Sequence, residues 1–293
     1  MMANLESLIN RAESLLERLA EYLPAIQQEV NWNALAWRWQ VMNGRGYLQA
    51  VQHPHQIKLE AICNVDAQKA EVVRNTAQFV GGFPANNVLL TGARGTGKST
   101  LVKALLSEFS ENGLRIVEVD KQDLVALPEI VSLLRVRSER FIIFCDDLSF
   151  EATDPGYKAL KVVLDGSIAT TSDNVVVYAT SNRRHLIPEY MAENLETQYV
   201  GDEIRPGESS EEKVSLSERF GLWLSFYAFD QEEYLSVAAY WLAQYGIAEM
   251  NDEVRRAALT FSLTRGARSG RVAYQFARDY AGRQALANQK SAS

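Results

Sequence analysis

The sequence predicts an α/β fold, a parallel sheet flanked by helices, and three observations carry this prediction. From residue 87 onward, short apolar runs alternate with longer stretches of helical periodicity, a pattern typical of parallel strands joined by crossover helices. A glycine-rich segment, residues 92–99, follows the first apolar run and precedes the first helical stretch. Beyond residue 229 the pattern is helical alone, which predicts a small C-terminal helical lid.

These runs place the individual elements. Strands are expected at residues 87–90, 114–119, 141–145, 175–180 and 222–226. Helices are expected between them at residues 98–109, 124–134 and 157–164, and in the lid at 232–245, 252–263 and 270–287. Glu, Gly and Ser dominate residues 201–213, which indicates a mobile acidic loop within the domain.

The first 56 residues are predicted to be a helical N-terminal extension, ahead of a core over residues 57–228 and the lid over 229–293. Pro54 and its polar neighbours mark the boundary. Trp32, Trp37 and Trp39 are expected to be core, although a partner-docking surface stays open. One stripe of an amphipathic helix is formed by Leu5, Leu8, Ile9, Ala12, Leu15, Leu16, Leu19 and Leu23.

Composition limits the classes of function. The 293 residues are 47% hydrophobic and carry a formal charge of −7, so nonspecific nucleic-acid binding is disfavoured unless basic residues gather on one face. No apolar run reaches the roughly 18 residues that span a bilayer, and we expect no membrane insertion. The two cysteines, Cys63 and Cys145, make no disulfide framework, which favours the reducing cytoplasm.

The segment from Gly92 to Ser99 matches G-x-x-x-x-G-K-[ST], the P-loop pattern. Its glycines let successive backbone N–H groups point inward, so that the loop and the following helix start cradle phosphates. Lys98 is predicted to reach the β and γ phosphates of ATP, and Ser99 to complete a Mg²⁺ shell. The predicted phosphate-binding residues are Gly92, Ala93, Arg94, Gly95, Thr96, Gly97, Lys98, Ser99 and Thr100.

Polar residues follow the third and fourth predicted strands. Asp146 is the candidate carboxylate on the magnesium side, and Asp147 is the candidate that polarises the attacking water. Asn182 is the candidate sensor that bridges this water and the γ-phosphate. For Asn182 an ordinary turn residue remains the alternative.

Three arginines later in the chain are candidates to stabilise the negative charge that develops on the phosphoryl group during hydrolysis. Arg219, just before the last predicted strand, is the candidate arginine finger. Arg268 and Arg271 open the last predicted helix, where basic charge opposes the helix dipole unless an anion lies nearby. Surface exposure is the alternative for all three.

With these residues in place, the chain resembles a bacterial AAA+ family catalogued as domain of unknown function 815, from about residue 59 to 276. The resemblance implies the P-loop NTPase (AAA+) fold, an ATPase core and a lid, and it implies adenine contact at Ile62 and Val65. Family members usually have glycine near Asn64, and most AAA+ proteins have glutamate where this chain has Asp147. The matching segments are 86–99, 146–151, 180–186, 215–221 and 268–271.

Two functions follow from these predictions. The first is an ATP-driven remodelling or loading factor that hydrolyses ATP slowly, works as a homo-oligomer and acts on an unknown protein or nucleic-acid client. The second is a nucleotide-gated binding module with little turnover, which the shorter side chain of Asp147 favours. A small-metabolite kinase fits the P-loop alone and gives Asn182 and Arg219 no role.

Overall fold

The computed structural model describes residues 30–150, 154–165, 173–183, 198–200, 203–205 and 218–292. The amphipathic helix predicted near the N-terminus lies outside the described residues. So does most of the predicted acidic loop, of which Glu203–Arg205 forms a short strand paired with Gln198–Val200.

The described elements are numbered in chain order. The strands are β1 (Ala36–Met42), β2 (Arg45–Ala50), β3 (Val88–Gly92), β4 (Leu114–Glu118), β5 (Arg140–Cys145), β6 (Val175–Ser181), β7 (Gln198–Val200), β8 (Glu203–Arg205) and β9 (Leu222–Phe226). The helices are α1 (Asp66–Val80), α2 (Lys98–Phe109), α3 (Leu127–Leu134), α4 (Pro155–Asp165), α5 (Gln231–Gln244), α6 (Asp252–Arg265) and α7 (Gly270–Ala292). None of these helices is long and apolar enough to cross a membrane.

Seven strands form one sheet in the order β2-β1-β4-β5-β6-β3-β9. β1 and β2 are antiparallel, and every other neighbouring pair is parallel. The five strands predicted from the sequence are the parallel strands β3, β4, β5, β6 and β9, each within two residues of its predicted ends. Their carboxyl ends therefore lie along one edge of the sheet, where ligands of open α/β sheets bind.

Helices cover both faces of this sheet. On one face, Phe141 and Ile143 pack with Leu127 of α3 and Leu160 of α4. Residues that alternate with these on the strands point to the other face, toward α1 and α2. The apolar cluster between this face and the helices α1 and α2 includes Val88, Leu90, Ile142, Phe144, Val72 and Leu101. Burial on both faces is the reason these strands are continuous apolar runs.

The predicted helical extension is wrong for residues 36–50, which form a β-hairpin on the edge of the sheet. Trp37 and Trp39 are fully buried while Arg38 between them is exposed, so the apolar period is two and not 3.6. Asn43 and Gly44 have φ angles of 51° and 74°, which is the signature of a tight hairpin turn. Trp37 and Trp39 are core, as predicted, and Trp32 is half-buried against the same cluster. The predicted boundary at residue 56 therefore does not separate the hairpin from the sheet.

Two helices differ from the prediction. Helix α1 was not predicted, and it fills the interval before β3. The helix predicted over residues 124–134 is a 3₁₀ turn, Lys121–Ala126, followed by α3 with a proline in its first turn. Pro128 suits that position because the first helical N–H groups have no intrahelical partner.

The lid consists of α5, α6 and α7, close to the predicted ranges. Asp230 and Glu233 form a capping box that fixes the start of α5. The three helices share an apolar cluster of their own, which includes Tyr234, Leu235, Ala238, Val254, Ala258, Ala273 and Phe276. The division into core and lid at residue 229 stays a prediction.

Candidate nucleotide-binding site

A cleft of about 960 Å³ lies at the carboxyl ends of the strands, between the core and the lid. Its walls come from the loop between β3 and α2, the ends of β5 and β6, residues 55–63, and helices α5 and α7. Most of the residues predicted to bind the nucleotide line this one cleft. They are Ile62, Arg94, Gly95, Thr96, Gly97, Lys98, Ser99, Thr100, Asp146, Asp147, Asn182 and Arg271.

The P-loop geometry requires glycine. Gly92 has a φ angle of 123°, and a Cβ there would lie 1.9 Å from the carbonyl oxygen of Phe226 on β9. The N–H of Ala93 donates to that same oxygen at 3.0 Å, which holds the loop against β9. Gly97 caps α2 in a left-handed conformation, so the N-terminal N–H groups of α2 face the cleft, where an anion is stabilised.

Lys98 is almost completely buried at the floor of the cleft. Its Nζ donates to the carbonyl oxygens of Gly92 at 2.8 Å and Ala93 at 2.7 Å, and to Oδ1 of Asn182 at 3.3 Å. Burial lowers the pKa of Lys98 to about 8, although the nearby charges of Asp146 and Asp147 act in the opposite direction. An incoming polyphosphate would favour the charged ammonium.

Ser99 and Asp146 form an oxygen-rich pair beside Lys98. The Ser99 hydroxyl donates to Oδ1 of Asp146 at 2.6 Å, and the hydroxyl of Thr180 donates to the same oxygen at 2.5 Å. Oxygen ligands of this kind suit Mg²⁺, which usually takes few protein ligands and completes its shell with water and phosphate. The described residues contain no cluster of three or more His, Cys, Asp or Glu side chains able to hold a metal by themselves. This pair therefore fits a magnesium ion that arrives with a nucleotide.

Thr180 is a site residue that sequence reasoning missed. Besides donating to Asp146, its Oγ1 accepts from the backbone N–H of Asp147 at 2.9 Å. The hydroxyl thus orients the Asp146 carboxylate and holds the backbone of Asp147. A polar residue at the end of an apolar strand was the available signal, but the register between β5 and β6 was needed to assign its partner.

Asp147 has a left-handed backbone, with a φ angle of 52°. Its Oδ1 accepts a hydrogen bond from the side-chain amide of Asn182. The predicted water-polarising carboxylate and the predicted sensor amide are therefore direct partners. Asp tolerates the left-handed region better than most residues.

The lid contacts the P-loop at the start of α7. The N–H of Gly270 donates to the carbonyl oxygen of Gly95 at 2.9 Å. Gly95 has a φ angle of 77°, and a Cβ there would lie 2.8 Å from the Ser269 hydroxyl. Arg271 lines the cleft. Arg268 is exposed and does not line the cleft.

Of the two residues assigned to adenine contact, only one lines the cleft. Ile62 lines the cleft and is 4% exposed, whereas Val65 packs in the core at the start of α1 and is not part of the lining. Asn64 adopts a left-handed backbone conformation, with a φ angle of 62°, which suits a position where family members usually have glycine. Its side-chain amide donates to the carbonyl oxygen of Glu233 at 2.8 Å and to Ser236 at 3.0 Å, which ties this segment to α5.

Aromatic side chains of the lid form the far end of the cleft, and sequence reasoning missed them. The centre of the Trp241 ring lies 5.2 Å from the centre of the Tyr240 ring and 4.8 Å from the centre of the Tyr274 ring, and both pairs are edge-to-face. Ala61 and Ile62 lie on the core side of the same cleft. The cleft thus has a cationic, glycine-rich end and an aromatic end.

Arg219 lies outside the cleft of its own chain. Its Nε donates to the carboxylate of Asp165, at the end of α4. The structure therefore does not bring the predicted arginine finger to the other catalytic candidates within one chain.

The profile of a family described as "Protein of unknown function (DUF815)" matches residues 32–284. Among solved structures, the chain is similar to the replication initiator DnaA, with 16% identity, a TM-score of 0.49 and coverage of 75% of this chain and 63% of that one. It is also similar to a mutant of Thermotoga maritima RuvB, with 16% identity, a TM-score of 0.45 and coverage of 75% of this chain and 62% of that one. For C. elegans PCH-2 the identity is 15%, the TM-score is 0.43, and the coverage is 67% of this chain and 52% of that one. The chain spans less than two thirds of each of these three proteins. No curated protein matches significantly.

Proposed function

Because this chain belongs to the family described as "Protein of unknown function (DUF815)", whose description gives no activity, we propose a function from its site. The chain binds ATP with magnesium in the cleft between core and lid and hydrolyses it slowly. Through the lid, the reaction drives the remodelling or loading of a macromolecular client. The AAA+ arrangement of the sheet and lid supports the binding of a nucleotide.

The observation that supports this proposal most strongly is that two P-loop side chains and one carboxylate at a strand end lie together in the cleft. Lys98, Ser99 and Asp146 converge at the floor of the cleft, where the Ser99 hydroxyl is 2.6 Å from the carboxylate. A buried cation and an oxygen pair at a helix start suit a triphosphate with its metal. Magnesium, when bound there, would neutralise charge on the phosphate oxygens.

The residues of this chain have separate roles in the proposed reaction. The P-loop N–H groups and Lys98 hold the phosphates, and Asp147 accepts a proton from the attacking water. Asn182 orients the Asp147 carboxylate that it contacts. The aromatic end of the cleft, with Ile62, takes the base.

An assembly of several copies is part of this proposal. Arg219 stands outside the cleft of its own chain, which supports a role at the nucleotide of a neighbouring subunit in a homo-oligomer. The free cysteines Cys63 and Cys145 support a place in the reducing cytoplasm.

The direct test is Mg²⁺-dependent phosphate release by the purified full-length chain. We expect slow release, and we expect Asp147→Asn to reduce it about 100-fold or more because the general base is lost. Binding of ATP should be retained in that variant. Release by the wild-type protein no faster than by Lys98→Ala would contradict the hydrolysis part of the proposal.

The pairing of Asp147 with Asn182 favours a second candidate, a nucleotide-gated switch with little turnover. A short carboxylate held by an amide is poorly placed to reach a water, so ATP would stay bound. The nucleotide that co-purifies with the chain separates the two functions. Retained ATP with a slow release rate indicates the switch, and ADP indicates turnover.

A further inference from the structure

We propose that a face of the lid beside the mouth of the nucleotide cleft binds a single-stranded nucleic acid. This inference names the class of client that the proposed ATPase leaves open. The face is called the lid stripe and consists of Tyr245, Arg268, Arg271, Tyr274 and Arg278. The stripe starts at the mouth of the nucleotide cleft, because Arg271 and Tyr274 also line that cleft.

Charge is distributed very unevenly along this acidic chain. Residues 252–293 contain eight Arg or Lys residues and three Asp or Glu residues, a net charge of +5. Since the whole chain carries −7, the remaining residues carry −12. Charges more than about 10 Å away are largely screened at moderate salt. Residues 229–251 of the lid add four acidic and no basic residues, so the positive charge is local to α6 and α7. A polyanion that contacts α7 meets this local charge and not the net charge of the molecule.

The arginines of the lid stripe have no acidic partner in the described part of the chain. Two other lid arginines do have one: Arg255 pairs with Glu232, and Arg283 pairs with Asp279 at 2.9 Å. In contrast, no described carboxylate pairs with Arg268, Arg271 or Arg278, and all three are exposed. Carboxylates outnumber basic residues 37 to 30 in this chain, yet these three neighbouring arginines are left available to contact an external anion.

Aromatic rings lie among these arginines. Arg271, Tyr274 and Arg278 are spaced by three and four residues along α7 and therefore share one face of the helix. Tyr274 is 37% exposed and Tyr245 is 43% exposed. The neighbouring Tyr274 side chain raises the pKa of Tyr245, and the nearby charge of Arg278 acts in the opposite direction, so both residues lie close to Tyr245. Tyr245 at the end of α5 thus belongs to the same surface.

This combination of arginines and tyrosines fits a single-stranded nucleic acid better than it fits other polyanions. Exposed tyrosine rings stack on bases, and arginines neutralise the phosphates between them. Arg271 and Arg278 are about 10 Å apart along the helix axis at 1.5 Å per residue, so they can contact different phosphates of one strand. A duplex does not offer its base faces, and an acidic peptide does not carry a flat ring on every unit of its chain as a nucleic-acid strand does.

The test is fluorescence anisotropy of a fluorescein-labelled 20-nucleotide oligothymidylate titrated with the full chain. We expect binding at 50 mM salt, with a log–log salt slope of roughly −2 if three arginines contact phosphates of a single strand. The double variant Tyr245→Ala with Arg278→Glu should weaken binding at least about tenfold. It should leave Mg-ATP affinity unchanged, because neither residue lines the cleft.

Arg283→Glu is the matched control. It makes the same charge change on the same helix, at an exposed arginine that already pairs with Asp279, and we expect a loss below about threefold. No oligothymidylate binding, or an equal loss in Arg283→Glu, would overturn the inference. Displacement of the oligonucleotide by polyglutamate as effectively as by unlabelled oligothymidylate would overturn it in favour of an acidic protein partner. Calorimetry with Mg-ATP on the same samples reports separately on the proposed ATPase.

Discussion

Lys98 shows how a single side chain joins folding to function. Its ammonium is buried and its charge is held by two carbonyl oxygens of its own loop. The motif made this lysine predictable, because G-x-x-x-x-G-K-[ST] specifies both the backbone curl and the lysine that follows it. The lowered pKa of Lys98 was not predictable, since it depends on burial produced by the whole fold.

That pKa leads to a pH dependence of nucleotide affinity. In the free chain Lys98 loses its proton near pH 8, whereas bound phosphates favour the charged form. Binding above pH 8 therefore takes up a proton, and affinity should fall by up to about tenfold per pH unit. Calorimetry from pH 7.5 to 9.5 measures this. The arginine of the Lys98→Arg variant keeps its charge over this range. The nucleotide affinity that this variant retains should therefore not fall with pH as the affinity of the wild-type protein does.

Thr180 supports the residue-scale account of the magnesium site. Its hydroxyl contacts Asp146 and the N–H of Asp147, so Thr180→Val removes both bonds at nearly constant volume. We expect the Mg²⁺ concentration for half-maximal hydrolysis to rise about tenfold, in line with the loss of an outer-shell partner. Thr180→Ser keeps the hydroxyl and serves as the control. Equal Mg²⁺ dependence in the valine and serine variants would show that Thr180 does not position the Asp146 carboxylate.

At the scale of elements, the contact between the P-loop and α7 determines how the lid meets the core. Gly95 accepts a hydrogen bond from Gly270 and leaves no room for a side chain beside Ser269. Sequence patterns predicted the loop and the helix separately. Their contact, and the aromatic end of the cleft, depend on tertiary packing that a local pattern does not encode.

Gly95→Ala tests this contact, with Gly113→Ala as its control. Both glycines have positive φ angles, 77° and 91°, so each substitution should cost about 1 to 2 kcal/mol of stability. Only the Gly95 Cβ meets the lid, since nothing lies within 4 Å at Gly113. We expect Gly95→Ala to weaken Mg-ATP binding by more than about tenfold and Gly113→Ala to leave it unchanged. Equal affinity in both variants would contradict a role for the contact.

The edge hairpin explains the main error of sequence reasoning about elements. Trp37 and Trp39 were read as part of a helical extension, yet alternation with exposed Arg38 and the Asn43–Gly44 turn favour two strands. The longer parallel strands were predictable because burial on both faces leaves uninterrupted apolar runs. In the hairpin only the short alternation and the two-residue turn distinguished strands from a helix.

For the whole molecule, the fold gathers the nucleotide candidates into one cleft but leaves Arg219 outside it. The proposed homo-oligomer would account for this separation, with Arg219 acting at the cleft of a neighbouring subunit. We expect Arg219→Ala and Asp147→Asn to be inactive alone. Mixing the two purified variants should restore measurable hydrolysis, because some interfaces would combine an intact Asp147 with an intact Arg219. Full activity of Arg219→Ala alone, or no recovery on mixing, would exclude a finger that acts between subunits.

The central claim is that the cleft between core and lid binds a magnesium–nucleoside triphosphate. Isothermal titration calorimetry of Mg-ATP into the folded full-length chain tests it most directly, with Lys98→Ala as the comparison. The account predicts saturable binding by the wild-type protein and a loss of at least about 100-fold in the variant, since a buried charge–phosphate contact is removed. No heat of binding from the wild-type protein, or equal affinity in the two proteins, would contradict it.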